Sequence, residues 1–314
     1  MIKLLGPEYR YQGERLDRPS TIIVLDHHYD EEHQTFPIKE LLKNSLCDPR
    51  DHVIVFDHVL RHDDELKDYN LIYFPSFLAR ENKEFIQQNI VPDWNAKTYI
   101  FNFIINKPRL HRKFLLELIQ RFDLQNFCHS LAWLTNPINH IPVTDYKFGN
   151  EVVLDQGIRN GSYKNAHTYQ ALLQKTVFEP ACVSLITEPV FYEHEIIVTE
   201  KTLMAIYGGT LPVWVGGWRI ADHMRDLGFD VFSDLIDHSY QALHDPWDRC
   251  FQAIQLNQKV LKDYALVKLF LDQNQDRLMK NLKLLQQNIF HKQCLEGLDK
   301  YPKHIGTELE EFWG

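Results

Sequence analysis

A threonine, a glutamate and a lysine follow one another at positions 199–201, and together they could bind a nucleotide diphosphate. Thr199 is a residue type that often precedes helices, and the apolar spacing of residues 199–207 predicts a helix there. The positive end of that helix and the Lys201 ammonium would attract phosphate, whereas the Glu200 carboxylate could accept hydrogen bonds from ribose hydroxyls. The same residues also suit an ordinary capped helix, so both interpretations stay open at this point.

A second group of candidate residues is basic and lies at positions 107–113. Arg109 and Arg112 follow a strongly apolar run, residues 99–105, which predicts a buried strand. Fixed cations at the carboxyl end of such a strand would stabilise the charge that develops on a leaving phosphate. Arg159, in a segment rich in Gly and Asn, is a further candidate for this role. The alternative is a helix start that is simply solvated.

The elements that would position these residues alternate in type, as in parallel α/β units. In the first half of the chain, strands are predicted at 21–25, 53–56, 71–74, 98–104 and 131–134, and helices at 37–43, 82–88 and 109–121. In the second half, strands are predicted at 182–187 and 211–215, and helices at 166–174, 199–207, 219–226 and repeatedly from 247 to 293. The length of 314 residues suits two domains, and the Gly- and Asn-rich stretch at 145–165 predicts a junction between residues 1–150 and 151–314.

The composition is that of a globular, acidic protein. Hydrophobic residues make up 44% of the chain, charged residues 25%, and the formal net charge is -9. The electrostatic field of an acidic protein does not attract a phosphate backbone. The net charge therefore favours a glycan or small-molecule partner over nucleic acid. The five cysteines are odd in number and include no C-x-x-C pair, so they are expected to be reduced. No signal-peptide pattern and no apolar stretch of about 18 residues is present, so the sequence predicts a cytoplasmic protein with no integral membrane segment.

The segment from Glu188 to Gly217 resembles the donor-binding motif of α1,3-fucosyltransferases. The matching residues are Glu188, Thr199, Glu200, Lys201, Ala205, Gly209, Pro212, Val213 and Gly216. A wider resemblance, to uncharacterised bacterial, phage and cyanobacterial glycosyltransferase-like proteins, includes residues 106–112 and a block within residues 227–240. The run from Glu188 to Lys201 is two residues longer than in the fucosyltransferase pattern, and Pro189-Val190 replaces its Asn-Ser. Fucose is therefore not carried over as the donor sugar.

The resemblance implies a GT-B fold, in which two Rossmann-like domains face a central cleft and helices complete the C-terminal end. Residues 1–150 would form the acceptor-side domain, and residues 151–314 would bind a nucleoside-diphosphate sugar. The resemblance also implies inverting transfer without a metal or other cofactor, with Lys201 on phosphate, Glu200 on ribose and Glu188 near the donor sugar as a catalytic residue. The predicted donor-binding residues are Arg109, Arg112, Arg159, Thr199, Glu200 and Lys201.

An inverting transferase needs a general base, which in this fold would come from the first domain. Asp26, His27 and His28 follow the first predicted strand, and Asp57 and His58 follow the second. Polar residues at the carboxyl ends of strands often serve in sites, although they also cap helices. Asp26 is the preferred catalytic base.

Two other functions remain open. Residues 22–28 resemble the strand and Asp-His-His signature of the DHH phosphoesterases, whose Asp and His side chains hold catalytic metal ions. Only 25 residues precede Asp26, without the upstream metal-binding Asp motifs of that family, which counts against this hydrolase. A catalytically inactive nucleotide-sugar-binding protein would keep the donor motif without transfer. For the transferase, a glycan or small-molecule acceptor is favoured, and a modified DNA base remains an alternative.

Overall fold

The structure is a computed structural model that describes residues 2–5, 21–24, 52–56, 58–59, 68–105, 110–132, 174–189 and 196–298. For the segments before residue 68, for Ser76 and for residues 129–132 and 297–298, the description covers the backbone alone.

The strands of the described residues are β1 (Ile2–Leu5), β2 (Thr21–Val24), β3 (His52–Phe56), β4 (His58–Val59), β5 (Asn70–Phe74), β6 (Tyr99–Ile105), β7 (Cys128–Ala132), β8 (Ala181–Ile186), β9 (Ile196–Ile197) and β10 (Leu211–Trp214). The α-helices are α1 (Ser76–Gln87), α2 (Leu110–Arg121), α3 (Glu200–Tyr207), α4 (Ile220–Asp226), α5 (Pro246–Leu256), α6 (Gln258–Lys262), α7 (Tyr264–Gln273), α8 (Gln275–Gln286) and α9 (Ile289–Leu298). Short 3-10 turns occur at Trp94–Ala96 and Ser239–Ala242, and a π-helical turn at Gln174–Phe178.

Most of these strands belong to two four-stranded sheets. The first sheet has the order β1-β2-β3-β5, and its strands are all parallel. The second has the order β10-β8-β6-β7 and is also parallel throughout. A two-residue antiparallel pair, β4 with β9, joins the residues after β3 to those before α3, with His58 opposite Ile197.

The second sheet is covered by helices on both faces. Ile104 and Ile186 pack in one core with residues of α3, whereas Phe103 and Leu185 pack in another with residues of α2, α5, α6 and α7. A strand with two covered faces needs apolar residues at nearly every position, and each residue of β8 is buried. This explains why β8 is apolar at every position except Ser184, whose buried hydroxyl is hydrogen bonded to that of Thr210.

The two glycines after α3 let the chain turn directly into β10. Gly209 has a φ of +59°, in the left-handed region that glycine adopts without strain. A Cβ atom there would lie 2.5 Å from the ring of Trp94, so close packing also requires glycine. The end of α3 is therefore connected directly to β10, an edge strand of the second sheet.

The helix after the first sheet, α1, is tied to the helices of the second half of the chain. The Asn82 amide nitrogen donates to the carbonyl of Leu285 at 2.7 Å and to the Asn288 side chain at 3.1 Å. Its amide oxygen accepts from the Tyr207 hydroxyl at 2.9 Å. Since these groups are buried or partly buried, the contacts fix α1 against α3, α8 and α9.

The α/β class predicted from the sequence is confirmed, and one grouping of strands is corrected. The predicted strands at 98–104 and 131–134 were counted with the first half of the chain, but β6 and β7 pair with β8 and its sheet. Strand pairing is non-local, so the order of elements along the chain does not reveal it. The strand expected at 131–134 begins earlier, at Cys128, and β1 was missed. The predicted junction at 145–165 and the helix at 37–43 lie outside the described residues.

No helix among the described residues is both long and apolar enough to cross a membrane.

Candidate functional site

The second sheet contains a topological switch point between β6 and β8. These neighbouring strands are parallel, with Phe103 opposite Leu185, so their carboxyl ends lie at the same edge. After β6 the chain passes to α2 on one face and on to β7, whereas after β8 it passes to α3 on the opposite face and on to β10. In open α/β sheets, ligands bind in the crevice outside the carboxyl ends at such a point.

Glu188 lies at this edge, two residues after β8, and holds the start of α3. Its Oε1 accepts from the main-chain N–H of Thr199 at 3.0 Å and from the Thr202 hydroxyl at 2.9 Å. Its Oε2 accepts from the Thr199 hydroxyl at 2.5 Å. The residue is only 3% exposed. Both carboxylate oxygens therefore serve to position the first turn of α3.

Burial raises the pKa of Glu188, although the nearby Lys201 ammonium and the hydrogen bonds from Thr199 act in the opposite direction. The net rise means that the buried charge is only partly compensated by its partners. A carboxylate in this setting fits a positioning role. Contact of Glu188 with a donor sugar stays a prediction.

Thr199 occupies the N-cap position of α3, as the sequence predicted, with extended φ and ψ of −120° and −178°. Its hydroxyl donates to Glu188 and does not cap the helix. The main-chain N–H of Thr202 donates to the carbonyl of Thr199 at 3.1 Å, so this first turn is closed by a main-chain bond and not by a side-chain cap.

The next two residues bring opposite charges to the same turn. The Lys201 ammonium lies 3.4 Å from Oε1 of Glu200 and 3.3 Å from the Thr199 hydroxyl. Burial favours a raised pKa for Glu200, but Lys201 together with hydrogen bonds to Glu200 outweighs it and lowers the pKa, so this carboxylate is ionised at neutral pH. The side chains are 29% exposed for Glu200 and 12% for Lys201. An ionised hydrogen-bond acceptor and an ammonium thus lie side by side at the switch point.

Thr202 and Trp214 complete this arrangement, and sequence reasoning missed both. The Trp214 indole N–H donates to the Thr202 hydroxyl at 2.9 Å, and that hydroxyl in turn donates to Glu188. The chain of bonds ties the end of β10 to the first turn of α3 and to the end of β8. The sequence could have indicated Thr202, because it lies three residues after Thr199 and hence on the same side of the helix.

The basic residues predicted at this edge are only partly described. Arg112 is the third residue of α2, which follows β6, and it is 4% exposed. Its guanidinium is thus within the protein at the correct sheet edge, and its contact with a phosphate stays a prediction. Arg109, Arg159 and the predicted base Asp26 lie outside the described residues.

The β4–β9 pair brings part of the first sheet close to this turn. The backbone of His58 pairs with Ile197, two residues before Thr199. His58 directly follows Asp57, and both residues are among the candidates for the general base. The carboxyl end of β3 and the start of α3 are therefore neighbours.

Comparisons with known proteins find two solved structures of low similarity. One is the DNA-modifying enzyme β-glucosyltransferase with and without uridine diphosphoglucose, at 12% identity and a TM-score of 0.40, covering 90% of this chain and 75% of that one. The other is a point mutant of the T4 phage enzyme in complex with UDP-glucose, at 13% identity and a TM-score of 0.38, covering 88% and 74%. No family model matches the chain, and no curated protein matches it. No residue role is taken from either enzyme, because similarity this low does not establish a shared site.

Proposed function

We propose that this chain is a glycosyltransferase of the GT-B type that transfers a sugar from a nucleoside-diphosphate sugar to an acceptor hydroxyl. The observation that carries the proposal is the Thr199–Lys201 turn, which Glu188 and Thr202 hold at the switch point of a parallel sheet. This is the position where α/β sheets bind nucleotides, and the turn carries the charges that a nucleotide requires.

In this proposal the donor lies across the start of α3. Lys201 and the first N–H groups of the helix bind the diphosphate, and the ionised Glu200 accepts hydrogen bonds from the ribose hydroxyls. Arg112, with Arg109 and Arg159, neutralises the leaving diphosphate, so that no metal is needed. Transfer inverts the sugar carbon, and Asp26 removes the proton from the acceptor hydroxyl.

The acceptor is a glycan or a small molecule, in keeping with the net charge of -9. A modified DNA base is the second candidate acceptor. It would need a local basic surface, for which residues 107–113 are the candidates.

The first test is a thermal-shift screen against UDP, GDP, CDP, ADP and dTDP, with and without a divalent metal ion. A nucleotide at 100 times its dissociation constant should stabilise the folded protein by about 2.7 kcal/mol. We expect one nucleoside diphosphate to raise the melting temperature without metal. Failure of every nucleotide would refute the proposal, and stabilisation by manganese alone would favour the phosphoesterase.

The Lys201→Ala variant tests the site itself, with Lys280→Ala, an exposed lysine of α8, as the matched control. Loss of the ammonium should weaken binding of the preferred nucleotide roughly tenfold or more by calorimetry, since hydrogen bonds to charged groups contribute about 1.5–3 kcal/mol. Equal affinities for Lys201→Ala, the control and the unchanged protein would show that the diphosphate does not bind at Lys201. Hydrolysis or transfer of the sugar then separates an enzyme from an inactive binding protein.

A further inference from the structure

The loop after β10 lies next to the proposed donor site. It follows Trp214, whose indole N–H reaches the first turn of α3, so the loop begins beside the Thr199–Lys201 turn. Arg219, at the far end of this loop, has a φ of 47°, in the left-handed region. Glycine adopts this region freely, whereas most other residues are strained there by about 1–2 kcal/mol. An arginine is thus present where the backbone alone would favour glycine.

Buried polar groups hold this loop in place. Arg249 is completely buried and donates to three main-chain carbonyls at 2.8 to 2.9 Å, those of Gly216, Leu243 and His244. The main-chain N–H of Arg219 donates to the carbonyl of Gln241 at 3.3 Å. Burying a guanidinium is costly unless it is hydrogen bonded, so these bonds give the loop a defined conformation.

The side chain of Arg219 extends from this rigid support. It is 42% exposed, and its guanidinium lies 5.3 Å from the centre of the Trp218 ring. Its one described ion pair, with Asp222 at 3.6 Å, is loose, and Asp222 is more closely paired with Arg225 at 2.7 Å. The charge of Asp222 is therefore matched without Arg219, and the donors of Arg219 can serve a ligand.

A pocket of about 490 Å³ lies beside α4, the helix that Arg219 precedes. Arg219 flanks this pocket and does not line it: its guanidinium reaches Asp222 and its main-chain N–H reaches Gln241, and both of these residues line the pocket. His238, whose ring lies 5.6 Å from that of Trp214, is part of the lining too. The pocket is thus at the carboxyl end of β10, and its volume is in the range of small-molecule sites.

The strands β10 and β6 flank β8 on opposite sides, and α3, which carries Lys201, leads directly into β10. A donor whose diphosphate lies at Lys201 and whose nucleoside lies on the β10 side therefore has its sugar on the β6 side. The nucleoside side is the side with the pocket.

We propose that this pocket binds the base of the donor nucleotide and that Arg219 selects the base by donating hydrogen bonds to its carbonyl or ring-nitrogen acceptors. A planar guanidinium suits this task, because its N–H groups form a fork that matches paired acceptors and its face stacks on flat rings. The inference rests on the proposed function, since it names a further residue of the same site.

The test compares binding of UDP, GDP, CDP, ADP, dTDP and inorganic pyrophosphate by calorimetry. The variants are Arg219→Gly, which suits the backbone, and Arg219→Lys, which keeps the charge and removes the fork. Arg80→Ala, an exposed arginine of α1, is the control. The ratio of the affinity for the preferred nucleotide to the affinity for each of the others should fall roughly tenfold in both Arg219 variants and stay unchanged in the control. Affinity for pyrophosphate, which has no base, should not change.

Melting temperatures show that the variants fold, and Arg219→Gly should melt no lower than the unchanged protein because glycine relieves the strained φ. An unchanged preference, or an equal loss for pyrophosphate and every nucleotide, would overturn the inference while leaving the proposed function in place. An unchanged protein that binds all the nucleotides equally would also overturn it. If the unchanged protein binds none of them, the proposed function itself fails.

Discussion

Replacing Glu188 separates a positioning role from a catalytic one. In Glu188→Ala, the Thr199 N–H and the hydroxyls of Thr199 and Thr202 lose their acceptor in a buried place. Hydrogen bonds to a charged group contribute about 1.5–3 kcal/mol each, but the raised pKa of Glu188 shows that its burial offsets part of this gain. We therefore expect a net loss of about 3–4 kcal/mol rather than the full sum.

Glu188→Gln should behave differently because the geometry accommodates an amide. The amide oxygen at the position of Oε1 would keep the bonds from Thr199 N–H and Thr202, and the amide nitrogen at Oε2 would donate to the Thr199 hydroxyl, which can rotate. Loss of the charge also removes the cost of burying it. The expected destabilisation is below about 1 kcal/mol, with nucleotide affinity nearly unchanged.

Melting temperatures, with calorimetry of the preferred nucleotide, test both variants. A loss of 3–4 kcal/mol corresponds to a fall of roughly 4–6 °C for a chain of 314 residues, whereas the Gln variant should melt within about 2 °C of the unchanged protein. If Glu188→Gln melts as low as Glu188→Ala, the hydrogen bonds do not explain the role of Glu188. If it is stable and binds the donor but cannot transfer the sugar, Glu188 acts in catalysis as the sequence predicted.

Four more predictions concern single residues. Burial lowers the pKa of Lys97 to about 7, so the unfolded chain binds more protons than the folded protein between about pH 7 and 10, and the free energy of unfolding should rise with pH over that range. In urea unfolding measured at several pH values, Lys97→Met should abolish that rise in the free energy of unfolding. An unchanged pH dependence would show that Lys97 is not its cause. Gly209→Ala should lower the melting temperature by several degrees because of its φ of +59° and the contact with Trp94, and an unchanged melting temperature would show that the turn can rearrange. Glu200→Gln should weaken binding of nucleosides as much as that of nucleotides, whereas a loss restricted to diphosphates in calorimetry would assign it a structural role. Asp26→Asn should abolish sugar transfer and leave donor affinity intact, and an active variant would show that another residue is the base.

Local pattern accounts for much of what the sequence predicted correctly. The apolar run of β8, the helix after Thr199 and the glycines that end it are each defined by a few neighbouring residues, and their bounds agree with the structure to within one or two positions. The helix expected at 82–88 begins earlier, at Ser76. Its first turn contains no strong helical pattern, so the sequence did not predict this start.

Non-local contacts account for what the sequence did not reveal. The pairing of β6 with β8 joins residues about 80 positions apart, and the bonds from Asn82 to Leu285 and Asn288 span more than 200. The switch point depends on that pairing, so the best structural argument for the site could not be drawn from the sequence. The loop that presents Arg219 depends likewise on Arg249, which is 30 positions away along the chain.

The arrangement at Glu188 also explains why a donor motif of unusual spacing can work. The segment between Glu188 and Thr199 is two residues longer than in the fucosyltransferase pattern that it resembles. Glu188 is held by its place after β8, and Thr199 is held by its bonds to the Glu188 carboxylate. By chain-entropy scaling, closing a loop that is longer by two residues in about ten costs only about 0.2 kcal/mol. Each of the three hydrogen bonds to Glu188 contributes several times more than that, so the ends can meet in the same geometry whatever the conformation of the residues between them.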